Sequence, residues 1–527
     1  MNCPICGAEN APETKFCVGC GSALTAAAPV ATADSAPQNY SNAATPASSE
    51  KAKLPISGKT ILFGVVGIVA VVLVIALIGA LFGGNGFTTV EELPGLQLID
   101  EGEYAIVVGK KQLKTTIKSE EYPDTDYSLD YSAMSIVTDE GDLYVVSGKK
   151  VKQVKDAEDV VYATISNNGK GVVYASKGED DEFFTLYLAK VSNGKSTKIS
   201  DEVSSYSFAI SPDGKSVAYF KDGGDDPDSL MYFKGKKSVE ICDDENVRLY
   251  GLSNGGKQIY VAISDEGETD LYSFNSKAKK TKLGSSNGVI GFNDDHTQVM
   301  FLDEDGKSTI SSKGKEGKKV RKDSLEMILP ENATTKGYTY PVSNLYNHVY
   351  ENDEGDIYMI KKNKDIKLTG KASNITMDDS GKYLYYVHKG DELKVLKISH
   401  GDKASEKAKT IVDDPVSRYV VTSDRKYVYF IDGEDLLAVN GKKGGVPREI
   451  TDELGSLSLA ISSKDVLYYI VDGDLYAVSN GKKGKKVQGD VDYVSGVPYG
   501  TVYAEGDGKL YGTTGSKKLK MILEIED

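Results

Sequence analysis

The chain has 527 residues, 27% of them charged, and a formal net charge of −15. That length holds three or so average domains. The first 60 residues balance four acids (Glu9, Glu13, Asp34, Glu50) against four lysines (Lys15, Lys51, Lys53, Lys59), so the surplus negative charge belongs to the remainder. Such an acidic body argues against nucleic acid as a partner and against docking on anionic lipid.

Cysteine use divides the chain the same way. Four of the five cysteines fall within the first 20 residues and only Cys242 lies beyond. The long C-terminal part therefore has no internal disulfide and must be held by its core.

The N-terminus reads Cys3-Pro-Ile-Cys6-Gly7, then Phe16-Cys17-Val-Gly-Cys20-Gly21. Two C-x-x-C pairs supply four thiolates for a tetrahedral Zn²⁺. The glycine after each pair lets the chain turn so that backbone N–H groups face the sulfurs. Residues 1–24 are too few to bury a core, so metal binding would supply the folding free energy. A redox C-x-x-C and a disulfide pair are the alternatives. The pattern resembles the short zinc ribbon at the N-termini of many bacterial membrane proteins, matching it at Cys3, Cys6, Cys17 and Cys20. The resemblance implies a small structural or interaction module that docks a cytoplasmic protein partner. All four positions around the metal are filled by protein, which leaves none for a catalytic water.

Residues 25–59 are rich in Ala, Ser, Thr and Pro with no hydrophobic period, and read as a disordered linker.

Ile61 to Phe82 then forms a run without a charged residue. As a helix it spans roughly 33 Å, enough for the hydrocarbon core of a bilayer. A transmembrane helix is expected over 60–83. Lys51, Lys53 and Lys59 precede it, while Glu91, Glu92, Asp100 and Glu101 follow before the first lysine, Lys110. The bias keeps the N-terminus in the cytoplasm and sends the rest outside. A cleaved signal peptide would need an earlier, shorter apolar core and a small-residue cleavage site. The reading is an uncleaved signal anchor in a bacterial cell membrane.

From residue 88 to 527 the chain is strand-like, and a phrase recurs: an apolar strand, a polar turn, and a second strand ending in tyrosine. It stands as Ile165-Ser-Asn-Asn-Gly-Lys170, Ile210-Ser-Pro-Asp-Gly-Lys215, Leu252-Ser-Asn-Gly-Gly-Lys257, Met377-Asp-Asp-Ser-Gly-Lys382 and Thr422-Ser-Asp-Arg-Lys426. A third strand of the form Asp-Leu-Tyr-x-Val follows, beginning at Asp142, Asp270, Asp356 and Asp474 with looser copies between, and a lysine-rich fourth strand ends the unit. Four short antiparallel strands per unit of roughly 40 residues describe a propeller blade. Ser211-Pro-Asp-Gly-Lys-Ser-Val-Ala-Tyr219 resembles the blade motif of TolB-type, WD-like β-propellers, a likeness that speaks to fold and not to function. The expected fold is all-β: a propeller of about 7–10 four-stranded blades, or two rings. Ten units are visible, five on either side of a break between Leu325 and Tyr346.

No catalytic or cofactor-binding residue is singled out. Acidic turns (Asp303-Glu-Asp305, the run from Asp222 to Asp228, Asp378-Asp379) lack the spaced ligands of a calcium loop and suit hairpins. Gly284-Ser-Ser286-Asn-Gly288 fits a nucleophile-elbow motif formally, but stands in a turn between strands. His296, His348, His388 and His400 fall in separate units, and Cys242 reads as a small packing residue. The 33 tyrosines suit blade interfaces, with a few free to line the centre and stack on a sugar or peptide. The expected function is a non-enzymatic membrane protein whose outer propeller binds an envelope protein, peptide or glycan. The alternatives are an extracytoplasmic hydrolase or lyase with its site at the propeller mouth, and a purely structural scaffold.

Overall fold

The computed structural model describes residues 94–525 apart from short breaks, mostly in turns. The zinc ligands Cys3, Cys6, Cys17 and Cys20, the linker 25–59 and the apolar span 60–83 lie outside the described residues. Among the described residues no helix is long and apolar enough to cross a membrane.

The described part is a β-propeller. Antiparallel sheets follow one another along the chain, each built in strand order: blade 1 (94–118), blade 2 (124–153), blades 3 and 4 (160–242), blade 5 (247–285), blade 6 (288–319), blade 7 (326–369), blade 8 (372–412), blade 9 (418–451), blade 10 (459–488) and blade 11 (493–524). Blades 3 and 4 are joined into one seven-stranded sheet by the 15-residue strand Ser196–Ile210. Its first half pairs with Phe184–Lys190 and its second half with Ser216–Lys221. The first strands of neighbouring blades approach one another and line the centre.

One phrase makes the inner turn of most blades. A buried Ser, Thr, Asn or Asp closes the first strand, and its side-chain oxygen accepts backbone N–H groups across the turn. Ser166 Oγ accepts from Lys170 and Gly171 (3.1 and 3.0 Å), and Asp378 Oδ1 from Lys382 and Tyr383 (2.9 and 2.8 Å). Asn293 and Thr422 do the same for Gln298 (2.8 Å) and Tyr427 (3.0 Å). These bonds satisfy donors that the ladder leaves behind at the strand end. Three residues on, the chain turns left-handed, as at Gly169 (φ 64°) and Gly214 (φ 70°).

Neither face of a blade can be hidden by the blade itself, so every junction carries a buried cluster. Tyr385, Val387 and Leu393 of blade 8 meet Val421, Val428 and Phe430 of blade 9. At the far end Leu510 and Leu523 of blade 11 meet Ala105 and Val107 of blade 1. Tyr503 Oη donates to Gly109 O there (2.9 Å), and Lys110 Nζ to Thr514 Oγ1 (3.0 Å). Buried tyrosines serve other junctions as the sequence suggests, Tyr385 Oη donating to Gly441 O (2.6 Å) and Tyr419 Oη to Asn374 O (2.6 Å).

The count exceeds the expected 7–10. Among the described residues eleven blades form a single circuit, and blade 1 has three strands. Its sheet Pro94–Asp100, Glu103–Val108 and Lys111–Lys118 corresponds to the outer three strands of a blade. The first strand and inner turn that carry the repeated phrase are not among its described residues, so that phrase does not mark it as a unit. The break at 325–346 does not separate two rings either. Met300 and Ile310 of blade 6 share one core with Tyr350 and Tyr358 of blade 7.

Close inner turns make the circuit sensitive at glycine. A Cβ on Gly171 would lie 2.5 Å from the carbonyl oxygen of Gly214, whereas one on Gly148 (φ 54°) meets nothing within 4 Å. Gly171→Ala should lower stability by about 2–3 kcal/mol as backbone is forced from backbone. Gly148→Ala should cost only the left-handed strain, about 1 kcal/mol. Urea unfolding of the two variants, followed by tyrosine emission in this tryptophan-free chain, measures the difference.

Candidate functional site

Between the first two strands of blade 7 a long connection runs back into the middle of the propeller. Residues 336–342 lie parallel to the first strand of blade 6, Gly288–Phe292. Phe292 N donates to Tyr338 O (2.7 Å), Tyr340 N to Phe292 O (2.9 Å) and Asp294 N to Val342 O (2.8 Å). Gly291 permits this approach, since a Cβ there would stand 2.2 Å from the Tyr340 ring. The segment is a strap laid along an inner strand.

The strap ties blade 6 to blades three and four positions earlier in the circuit. Lys336 Nζ pairs with the Asp126 carboxylate of blade 2 and donates to Tyr127 O (2.8 Å). Asp126 also accepts from Thr164 Oγ1 (2.7 Å) and Ile165 N (2.8 Å) of blade 3. Burial depresses the Lys336 ammonium, while Asp126 opposes that shift. Thr339 Oγ1 lies 2.8 Å from His296 Nε2, and Asn167 of blade 3 donates to Asp294 O (3.1 Å). These contacts pinch the circuit between blades 2–3 and blade 6.

Around this strut the inner strands present aromatic rings. Tyr127 stacks on Tyr131 at 5.0 Å, Tyr162 leans on Phe208 at 5.5 Å, and Tyr250 meets Tyr338 edge-on at 6.1 Å. Arg248 lies over the Tyr250 ring at 5.1 Å. Tyr122, Tyr162 and Tyr338 are 64%, 43% and 47% exposed, more than a tyrosine needs for packing. Desolvation pushes Tyr127 up to about 12 and also raises Tyr131 and Tyr162, with Asp126 adding to each. All these phenols stay protonated and can donate.

Four inner turns break the glycine rule. Tyr131 (φ 52°), His296 (φ 54°), Arg425 (φ 58°) and Asp465 (φ 56°) occupy the left-handed position that Gly169, Gly214 and Gly381 fill elsewhere. A non-glycine residue there costs roughly 1–2 kcal/mol, so its side chain is the informative part. Tyr131 belongs to the aromatic centre. His296 is buried and stacks on Phe292 at 4.6 Å, and burial lowers its pKa to about 4. The neighbouring Asp294 is raised to about 6, by desolvation and then by Asp295. Arg425 Nε donates to Tyr385 Oη (3.1 Å) with its guanidinium over Tyr383. Asp465 accepts from Ser423 N (2.6 Å) and Ser423 Oγ (2.8 Å). Asp379 stands near Asp378 and Asp465, and desolvation first and those charges second raise it to about 7. The sequence did hold this signal: Ser-Leu-Asp-Tyr131, Asn-Asp-Asp-His296 and Thr-Ser-Asp-Arg425 all lose the turn glycine.

The other sequence candidates take structural places. Asp303 Oδ1 accepts from Asp305 N and Lys307 N (3.1 and 2.8 Å) and Oδ2 pairs with Lys319 (2.8 Å), which closes a hairpin. Gly284 to Gly288 joins two strands, with Ser286 Oγ accepting from Gly288 N (3.1 Å). His296, His348, His388 and His400 lie in blade 6, in the connection entering blade 7's second strand, and in blade 8. Cys242 is buried in the junction of blades 4 and 5, where burial pushes its thiol up to about 11. Among the described residues no three His, Cys, Asp or Glu side chains are grouped to hold a metal ion.

No protein-family model matches the chain, and no curated protein does. Solved structures similar to it include TolB-type propellers. The putative TolB of Agrobacterium tumefaciens is 18% identical over 44% of this chain and 88% of its own, with a TM-score of 0.29. TolB of Acinetobacter baumannii is 10% identical over 59% and 78%, with a TM-score of 0.25. A prolyl endopeptidase structure is 13% identical over 66% of this chain and 55% of its own, with a TM-score of 0.31. Superpositions this loose transfer no function, and the propeller assignment rests on the sheets above.

Two measurements probe the strut. Lys336→Met should destabilise by about 2–3 kcal/mol, less than a fully buried pair would, because both partners keep some contact with water. Adding Asp126→Asn should recover at least half of that loss in a double-mutant cycle. His296 supplies a pH test. Its folded pKa of about 4 lies below the ordinary 6.5, so the unfolded chain takes up the proton first as pH falls. Its contribution is complete above pH 6.5 and is lost as the pH drops from there toward 4. Asp294, raised, acts in the opposite sense and drops out of the comparison. The stability gap between wild type and His296→Gln should therefore be wider at pH 7 than at pH 4.5, by about 2 kcal/mol.

Proposed function

We propose that this protein is a single-pass bacterial membrane protein whose extracytoplasmic propeller is a binding module, with its ligand seated on the aromatic centre. The observation that carries the reading is the pair Tyr162 and Tyr338, left open to solvent around the Asp126–Lys336 strut. Phenol rings offer stacking faces and donors at little conformational cost, and a fixed ion pair beneath them keeps the platform rigid. A glycan or an extended peptide fits these groups. Asp379 is the carboxyl nearest neutrality in the second cluster. Burial and then the charges of Asp378 and Asp465 hold its carboxyl up, and we assign it no catalytic role.

Support for the remaining parts comes from the sequence. The charge-free run Ile61–Phe82 would anchor the chain with its N-terminus in the cytoplasm. Cys3, Cys6, Cys17 and Cys20 would hold one structural Zn²⁺ in a knob that docks a cytoplasmic protein.

Because the chain has no tryptophan, its emission comes from tyrosine alone, and ligand stacking reads out directly. A panel of cell-wall glycan fragments and short peptides should contain a class that alters this emission saturably. Tyr162→Ala with Tyr338→Ala should weaken that binding by roughly 10-fold or more while leaving the unfolding midpoint in place. Binding that survives the double substitution would move the site away from the strut. Metal analysis of the full chain should give one zinc, lost in Cys3→Ser with Cys6→Ser.

A further inference from the structure

The two ends of the third strand in each blade carry opposite charge. Among the described residues, the turns entering the third strand hold 15 acids against two lysines. The turns leaving it hold 14 lysines against three acids. Antiparallel strands put these two sets of turns on opposite faces. The acidic turns also bond to the connections between blades, which shows that those share their face. Val160 N donates to Gly141 O (3.0 Å), Ala372 N to Gly355 O (2.9 Å) and Val491 N to Gly473 O (2.8 Å). The net charge of −15 thus hides a lysine rim on one face.

Two features single out an arc of that rim, blades 9, 10, 11, 1 and 2, which are consecutive through the closure of blade 11 on blade 1. Lys442, Lys443, Lys482 and Lys483 are exposed there, as Lys195, Lys277 and Lys403 are on other blades. Apolar side chains stand beside the lysines. Val446 is 94% exposed in the turn that holds Lys442 and Lys443, and Met521 is 47% exposed next to Lys520. In blades 1 and 2 a groove of about 430 Å³ is lined by Lys114, Lys149, Lys150 and Lys152 with Gln112 and Thr115.

The chain enters on this same face and within this arc. Pro94 pairs with Val108, immediately before the Gly109-Lys110 turn. Eleven residues separate Phe82, the end of the apolar run, from Pro94. Eleven residues reach at most about 40 Å even when fully extended.

From this we infer that the lysine rim of blades 9–11, 1 and 2 docks on the anionic lipid headgroups of the bilayer that anchors the chain. The inference rests on reading Ile61–Phe82 as a membrane span. Charge complementarity would favour any polyanion, but Val446 and Met521 gain nothing from a hydrated polymer and are covered by an interfacial lipid layer. Docked this way, the acidic face and its turns point away from the membrane.

The test uses the full chain in vesicles of phosphatidylcholine alone or with roughly a third phosphatidylglycerol, footprinted by amine acetylation and mass spectrometry. Labelling of Lys442, Lys443, Lys482 and Lys483 should fall about threefold or more in the anionic vesicles and return at roughly 0.5 M salt. Lys371 and Lys389, on the acidic face, should not change. The variant K442E/K443E/K482E/K483E should lose the salt-sensitive protection of Lys149 and Lys150. Equal labelling in both vesicles, or equal protection of both faces, overturns the docking while leaving the anchor intact. Protection by inorganic polyphosphate over neutral vesicles, without protection by phosphatidylglycerol, assigns the rim to a polymer and overturns it too. A chain that fails to float with either vesicle removes the anchor and the docking together.

Discussion

A four-stranded antiparallel sheet with apolar side chains on both faces cannot be stable by itself, and that constraint shapes this molecule. Each blade hides one face against the blade before it and the other against the blade after it, so the first and last blades must meet or leave an apolar face in water. Here they meet, through Leu510 and Leu523 against Ala105 and Val107. Blade 1 has three strands among the described residues, and these suffice because the junction cores are made chiefly by the middle of each sheet.

So many blades in one circuit leave a wide centre, and the strap fills part of it. Its parallel register on Gly288–Phe292 gives an inner strand edge a partner that no blade provides. The Lys336–Asp126 pair and the Thr339–His296 contact then convert a loop into a cross-brace. The exposed tyrosines cluster on this brace. Rigidity and ring exposure together are what a stacking site requires, because a floppy platform would lose its binding energy to ordering.

Opposite charge on the two faces follows from a repeated sequence rule. Tight turns entering the third strand use Asp-Gly and Glu-Gly, and those leaving it use Gly-Lys or Lys-Lys. The same rule staples three blades internally: Asp270, Asp356 and Asp474 at the start of the third strand pair with Lys282, Lys367 and Lys486 on the fourth. A summed charge cannot report this arrangement. An exclusion of anionic surfaces drawn from −15 averages two faces that a partner would meet one at a time.

The sequence by itself determined the strand-rich propeller, ten of its blades, the buried serine and glycine of the inner turns, and the tyrosines at the junctions. All of these are local patterns repeated often enough to be read. It also held the loss of the turn glycine at Tyr131, His296, Arg425 and Asp465, although the purpose of those side chains depends on neighbours far along the chain. The tertiary structure alone decided the eleventh blade, whose described residues lack the repeated phrase, and the meeting of residues 126 and 336. It also decided the path of the strap, which reads in the sequence only as a break. Which lysines share a rim with the chain's point of entry was fixed there as well. Periodicity records what each residue does within its own blade, whereas closure of a circuit is a property of how the blades add up, and no single repeat encodes it.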